Sequence, residues 1–289
     1  MLAYPGVNPS LTYCMAADSL TRTRSRRGCQ KSRYAAPALE KGLDILELFA
    51  SESRGLTHSD VARRLDRTVG EVFRMLVCLE ERGYICPVHP DGRYQLTLKL
   101  FELAHRHHPL NRLLTKARPL MHDVAQETGQ SCHLAMLNNG EVVVVAQVDA
   151  PGPMGFSVSV GAKIDLLDTA SGHVILAFQP AEASARSLAA WRRRTNKALP
   201  VGLEQHLAQI RRRGFEELAS YQVHGVVNVS LPVFNRHGEA IAALSVPFLA
   251  HIGSGVGPRQ VKEALYAASC SLSSGIGGRT LQLTAPGDK

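Results

Sequence analysis

The stretch that most constrains this chain is THSDVARRLDRTVGEVFRMLVCLEERG, from Thr57 to Gly83. Two helical patterns meet across only Asp66, Arg67 and Thr68. So short a connection turns the chain sharply and brings the two helices into contact. Thr57 and Asp60 have the S/T-x-x-D/E spacing that starts a helix. Thr68 can start the next one by accepting a backbone N–H, and Gly83 can stop it. Taking Val72 as reference and about 100° per residue, Val69, Met75, Leu76 and Leu79 lie within roughly 60° of it and form a stripe to bury. Gly70, Arg74, Val77 and Glu81 fall opposite, flanked by Glu71, Phe73 and Cys78.

The neighbouring segments complete a pattern. Upstream, ALEKGLDILELFA sets Leu39, Leu43, Leu46 and Phe49 or Ala50 at helical spacing. Downstream, YICPVHPDGRYQLT places two β-prone runs around the turn signal Pro90-Asp91-Gly92. Helix, helix, turn, helix, hairpin is the layout of a winged helix-turn-helix over residues 35–97. LKLFELAHRHH then predicts a linker helix over 98–110, ended or kinked by Pro109. His105, His107 and His108 spread around that helix with no carboxylate or cysteine beside them, so no metal site is expected there.

A recognition helix reads the major groove with its N-terminal turns. The expected DNA-facing set is therefore Gly70, Glu71, Phe73 and Arg74, with Val77 as a further candidate. Gly70 lets the backbone approach. Arg74 can bond guanine or a phosphate, Glu71 can accept from a cytosine amine, and Phe73 can touch a thymine methyl. Thr57, Ser59 and Thr68 sit near helix starts, where hydroxyls and amides suit phosphate, and Arg93 is the candidate wing contact. Winged helices also serve as protein-interaction modules, which is the alternative.

Charge does not decide between them. The net charge is +8, but residues 1–34 carry +5, residues 35–110 carry −1 and residues 111–289 carry +4. Placement of individual cations must carry the argument. Residues 1–34 are polar and basic without apolar periodicity, a disordered tail or an arm for phosphates and the minor groove. Met15 offers a second possible start that leaves the basic run intact. Cysteines 14, 29, 78, 86, 132 and 270 are scattered without a C-x-x-C pair, which fits a reduced cytoplasmic setting without disulfides or zinc. The apolar runs fall short of the ~20 residues of a membrane helix.

Residues 111–279 read as a second domain, followed by a tail over 280–289. LLTKARPLMHDVAQETG is a helix stopped by Gly129. SCHLAMLNNGEVVVVAQVD is a hairpin around Asn138-Asn139-Gly140. MGFSVSVGAKIDLL alternates and then turns at glycine, TASGHVILAF starts a helix near Thr169, and LEQHLAQIRRRG is a helix ended by Gly214. GVVNVSLPVFNRHGEAIAALSVPFL is a second hairpin turning at Asn235–Gly238, and PRQVKEALYAASCSLSSGIG closes the domain as a helix. Interleaved hairpins and helices give an α+β domain with a mostly antiparallel sheet. TASGH lacks the G-x-S-x-G elbow, GSGVGPRQ lacks a dinucleotide fingerprint, and no P-loop appears. Neither an enzyme nor a cofactor is expected.

The order of these landmarks resembles the IclR-type bacterial transcriptional regulators. ALEKGLDILELFA…GLTHSDVARRLDRTVGEVFRMLVCLEERGYI…DGRYQLTLKLFELA is similar to their DNA-binding domain. TGQSCHLAMLNNGEVVVVAQV, TASGHVILAF, IRRRGF and GVVNVSLPVFNRHGEAIAALSVPF follow the order of their effector domain, so the resemblance is collinear over about residues 35–275. It implies a GAF-like C-terminal domain that binds a small organic acid or related metabolite. It further implies homodimers or homotetramers on double-stranded operator DNA. Val69-Gly70-Glu71 stand where the family often has Lys-Ser-Thr, while Arg74 matches its usual arginine. The family's small-residue helix start falls on Ala170-Ser171-Gly172, and His173 replaces a frequent lysine. Leu218 and Ser220 stand where carboxylates are common, a pocket cysteine of some members falls at Asn228, and a strand serine falls at Ser245. The expected effector contacts are thus Ala170, Ser171, Gly172, His173, Asn228 and Ser245. The helix start would face a ligand carboxylate, and Asn228 and Ser245 would orient its other end. A metabolite sensor with a protein-binding wing and, more remotely, an enzyme on the GAF-like domain are the rivals.

Overall fold

The computed structural model describes residues 36–88, 92–106, 108–152, 155–250 and 255–281. The chain divides into two compact units, one ending at Leu100 and the other starting at Phe101.

In the first unit, α1 (Pro37–Ala50), α2 (His58–Arg64) and α3 (Val69–Glu81) precede the antiparallel strands β1 (Ile85–Val88) and β2 (Arg93–Leu96). Both helix starts carry complete capping boxes. Thr57 accepts from the Asp60 amide while Asp60 reaches back to the Thr57 N–H, and Thr68 and Glu71 repeat the arrangement. The core joins Ile45, Phe49, Leu56, Val61, Val72, Leu76, Leu79 and Ile85. Leu56 also bridges Tyr94 in β2, and Gly55 permits this approach, since a Cβ there would lie 2.6 Å from the Tyr94 carbonyl oxygen.

The helical stripes shift from expectation. Leu39 and Leu43 are 63% and 50% exposed, whereas α1 buries the expected Phe49 together with Ile45, which the stripe did not include. Only the C-terminal half of α1 meets the core, so periodicity in its first half buries nothing. Val69 is likewise exposed, because it lies in the first turn of α3. The expected 98–110 linker helix is divided. α4 spans Lys99–His105, and α5 (His108–Thr128) begins anew with Pro109 in its first turn. Pro119 lies inside α5. The Pro90-Asp91 turn, the 1–34 tail, His107 and the side chains of His105 and His108 lie outside the described residues.

The second unit is built on one antiparallel sheet in the order β5-β4-β3-β8-β7-β6. Its strands are β3 (Cys132–Asn138), β4 (Glu141–Val148), β5 (Lys163–Asp165), β6 (Glu216–Ala219), β7 (Val226–Phe234) and β8 (Ala240–Leu249). Asn139 and Gly140 both have positive φ between β3 and β4, the backbone of the tight hairpin that Asn-Gly favours. The run before Gly161 alternates in sequence, yet residues 155–159 form no strand and only Lys163–Asp165 pairs with β4. Helices α5 and α9 (Pro258–Gly275) cover one sheet face. On the other lie α6 (Ala170–Ala177) and, against α6, α8 (Leu203–Arg213). Helix α7 (Ala181–Thr195) and strand β6 are additions to the sequence reading. Polar residues dominate α7, which buries only Ala190 and Trp191, so it carries little apolar signal.

Candidate functional site

On α3, the face opposite Val72 presents Gly70 and Arg74, with Phe73 on its flank, all three exposed. A Cβ on Gly70 would meet nothing within 4 Å. Arg74 makes no ion pair among the described residues, while Arg63 faces Asp60, Arg64 faces Glu52 and Arg67 faces Asp44. Phe73 is 51% exposed, and its ring lies 5.5 Å from His58, which meets Tyr94 edge-on at 5.1 Å. This aromatic contact links α3 through the start of α2 to the wing. Sequence reading passed over His58, whose role depends on two partners distant in sequence.

Four candidates have prior engagements. The Glu71 carboxylate contacts Lys41 Nζ at 2.6 Å with one oxygen, and the Thr68 amide and hydroxyl at 3.2 and 3.0 Å with the other. The Lys41 bond, then those of Thr68, hold its pKa down to about 2. Both oxygens are engaged within the domain, so Glu71 caps α3, and a cytosine amine would compete with Lys41 and Thr68 for its carboxylate. Thr57 and Thr68 likewise spend their hydroxyls on Asp60 and Glu71. Arg93 donates to the Gly55 carbonyl at 2.8 Å, which ties it to the loop before α2. Ser59 is exposed in the first turn of α2.

In the second unit a polar row crosses the sheet on the α6 side. Gln147 in β4 pairs with His133 in β3, His133 with Ser245 in β8, Ser245 with Ser230 in β7, and Ser230 with Glu216 in β6. Directly paired residues project to one face, so five strands contribute one line of polar side chains. Ser171 of α6 joins it from above. Its hydroxyl lies 2.9 Å from that of Ser245, which lies 2.7 Å from that of Ser230. Three hydroxyls bring three protons to two contacts, which leaves one donor over. All three serines are at most 3% exposed. His133 is fully buried, which pushes its pKa down to about 4, and its Nδ1 has no hydrogen-bond partner.

The end of the row is charged. Glu216 Oε2 lies 3.6 Å from His173 Nδ1 and 2.5 Å from His206 Nε2, and its other oxygen receives Arg213 and the Glu217 amide. Burial pushes the Glu216 carboxyl up, but His173, Arg213 and His206 together bring it below its usual value.

The start of α6 is more closed than expected. Thr169 caps the Gly172 amide, and a Cβ on Gly172 would fall 2.0 Å from the Leu166 carbonyl oxygen. Gly172 is thus a packing glycine, set against backbone where a ligand group was expected. His173 Nε2 bonds the Leu167 carbonyl at 2.9 Å, and Ala170 is buried. Asn228 lies half-buried on the same face as Ser230, opposite Pro247 and Leu218. The structure therefore brings Ser171 and Ser245 together and places Asn228 one register row away. Sequence reading missed Gln147, His133, Ser230, His206 and Glu216. For Gln147, His133 and Ser230 the signal was a polar residue at an alternate position inside an apolar strand, as in SCHLAML and VVNVSLPVF; His206 on α8 and Glu216 at the start of the short β6 carried no such signal.

The sequence of both units matches a known family. The model of the bacterial transcriptional regulator IclR C-terminal domain matches residues 108–274, and that of the IclR helix-turn-helix domain matches residues 38–86. The chain belongs to the IclR family. Among its curated relatives, the HTH-type regulator BhcR of Paracoccus denitrificans is 29% identical, covering 84% of this chain and 88% of BhcR. The Escherichia coli regulator KdgR is 27% identical, covering 71% and 81%. The crystal structure of Thermotoga maritima IclR aligns with a TM-score of 0.63 at 25% identity, covering 83% of this chain and 98% of that one. An IclR homologue from Microbacterium hydrocarbonoxydans, complexed with 4-hydroxybenzoate, has the same fold at a TM-score of 0.69 and 24% identity, with the same coverage. As an IclR-family protein, the chain is a DNA-binding transcriptional regulator with a C-terminal effector-binding domain. BhcR and KdgR are both HTH-type transcriptional regulators. Among the described residues no helix is long and apolar enough to cross a membrane.

Proposed function

We propose that a small carboxylate held between α6 and the sheet controls the affinity of this regulator for its operator. The observation that carries the reading is the chain of Ser171, Ser245 and Ser230 hydroxyls, buried and with one donor over. A buried polar group is retained at a cost unless it is satisfied. A ligand carboxylate can take that donor and the hydroxyls it displaces. The acid in the Microbacterium homologue is a compound of this class. Because the serines are covered, binding must loosen α6 from β7 and β8, and that movement is the means of coupling. Full-length protein should be screened by thermal shift with hydroxybenzoates and keto acids, then titrated calorimetrically. Ser245→Ala should weaken binding of the responding acid at least tenfold and leave effector-free operator binding unchanged. Equal operator affinity with and without saturating acid, at fixed salt, would sink the reading.

At the operator, Arg74 reads a base or phosphate beside Gly70 and Phe73, with Ser59 and Arg93 at the flanks. Arg74→Ala should cost roughly 1–3 kcal/mol in an electrophoretic shift with the protein's own upstream DNA. The protein acts as a homo-oligomer. Leu39 and Leu43 on α1, and Leu98, Phe101 and Leu103 at and within α4, are exposed apolar side chains that a second copy would cover.

A further inference from the structure

The structure assigns a divalent transition-metal site, of the zinc class, to His173, His206 and Glu216. One atom from each side chain, His173 Nδ1, His206 Nε2 and Glu216 Oε2, converges so that all lie within 4.8 Å of one another. Each of these atoms is buried and has no hydrogen-bond partner. They come from three separate elements, α6, α8 and β6.

The surrounding bonds fix what each atom presents. His173 Nε2 sits 2.9 Å from the Leu167 carbonyl, which has no proton to give, so Nε2 must be the N–H. In the neutral ring Nδ1 then turns a lone pair toward Glu216, 3.6 Å away. Glu216 Oε1 is held by Arg213 and the Glu217 amide, which leaves Oε2 to face the two rings. His206 Nε2 approaches Oε2 at 2.5 Å without hydrogen-bond alignment. With the His206 ring neutral and its proton on Nδ1, three acceptor atoms thus aim at one another in a space from which water is largely excluded. A single cation satisfies all three at once.

Two imidazoles and a carboxylate are a borderline donor set that suits zinc and its neighbours. With bonds of about 2.0–2.1 Å, tetrahedral ligands stand about 3.3 Å apart. The observed separations bracket that value, and small rotations of the half-exposed His206 suffice. The Leu167 carbonyl and Arg213 are the outer partners that orient such ligands. Three protein ligands leave a fourth position for water. The site is independent of the carboxylate reading above, and it clasps the helix that covers the serines to β6.

The test uses full-length protein stripped with chelator and titrated with Zn²⁺, and in parallel with Co²⁺. One equivalent should bind, with the intense visible bands of tetrahedral cobalt, and the melting temperature should rise. His206→Ala, at a partly exposed position that the fold tolerates, should abolish the bands and lower zinc affinity at least a hundredfold. Replacing His105, His107 and His108 together should change neither. Cobalt bands that survive His206→Ala, zinc held only by the 105–108 histidines, or no stoichiometric binding would each overturn the assignment. Binding of candidate acids plays no part in the readout, so this site and the serine site fail separately.

Discussion

Two helix starts in this protein use the same device to opposite ends. Thr68 begins α3 and Thr169 begins α6, and each accepts the amide of the residue three further on. Each start also carries a glycine, Gly70 and Gly172. On α3 the first turn is open, and the glycine faces space. On α6 all eight residues are buried, and the glycine lies against the Leu166 carbonyl. A cap fixes where a helix begins. What the helix can touch is set by what lies over it. An exposed start leaves Arg74 to reach outward, whereas a covered start turns Ser171 and His173 onto a sheet.

The largest effect that would break this comparison is at the covered glycine. Gly172→Ala should destabilise the second unit by about 3 kcal/mol, because a methyl group 2.0 Å from backbone oxygen forces α6 away. Chemical denaturation reads this directly. Small loss would mean that α6 is already loose.

The next effect is acid sensitivity, which should separate the units. His133 is neutral in the fold, with its pKa lowered from 6.5 to about 4. As pH falls below 6.5 the unfolded chain takes the proton first, so the second unit should lose roughly 3 kcal/mol by pH 4. His133→Gln should remove that slope. Glu71 in the first unit is ionised down to about 2, so its contribution is complete above 4.5 and lost as pH falls toward 2. Acid titration followed by Trp191, the single tryptophan, should therefore show the second unit failing at higher pH than helix content lost from the first. Coincident transitions would remove the distinction.

Smaller effects belong to the open start. Thr68→Ala should cost about 1 kcal/mol of first-unit stability through the lost cap. Gly70→Ala should raise stability by about 0.5–1 kcal/mol, since the methyl group meets nothing and glycine is costly in a helix. If Gly70 admits the backbone to the groove, the same change should weaken operator binding. A neutral result in the binding assay would remove Gly70 from the interface.

The sequence by itself determined where most helices start and stop, where both second-unit hairpins turn and, by resemblance, the family. Caps, glycine stops and Asn-Gly turns act within a few residues, so they are written locally. It misjudged Leu39, Leu43 and Val69, because periodicity tells which side of a helix is apolar but not how far along it the core extends. It missed α7 and β6, one polar and one short, and with β6 it missed Glu216. The tertiary structure alone decided which polar residues share one row with Ser171 and Ser245. Gln147, His133, Ser245, Ser230 and Glu216 fall in one line across the sheet only because strand register places them there. Register comes from packing of the whole sheet against its helices, and no local pattern encodes it.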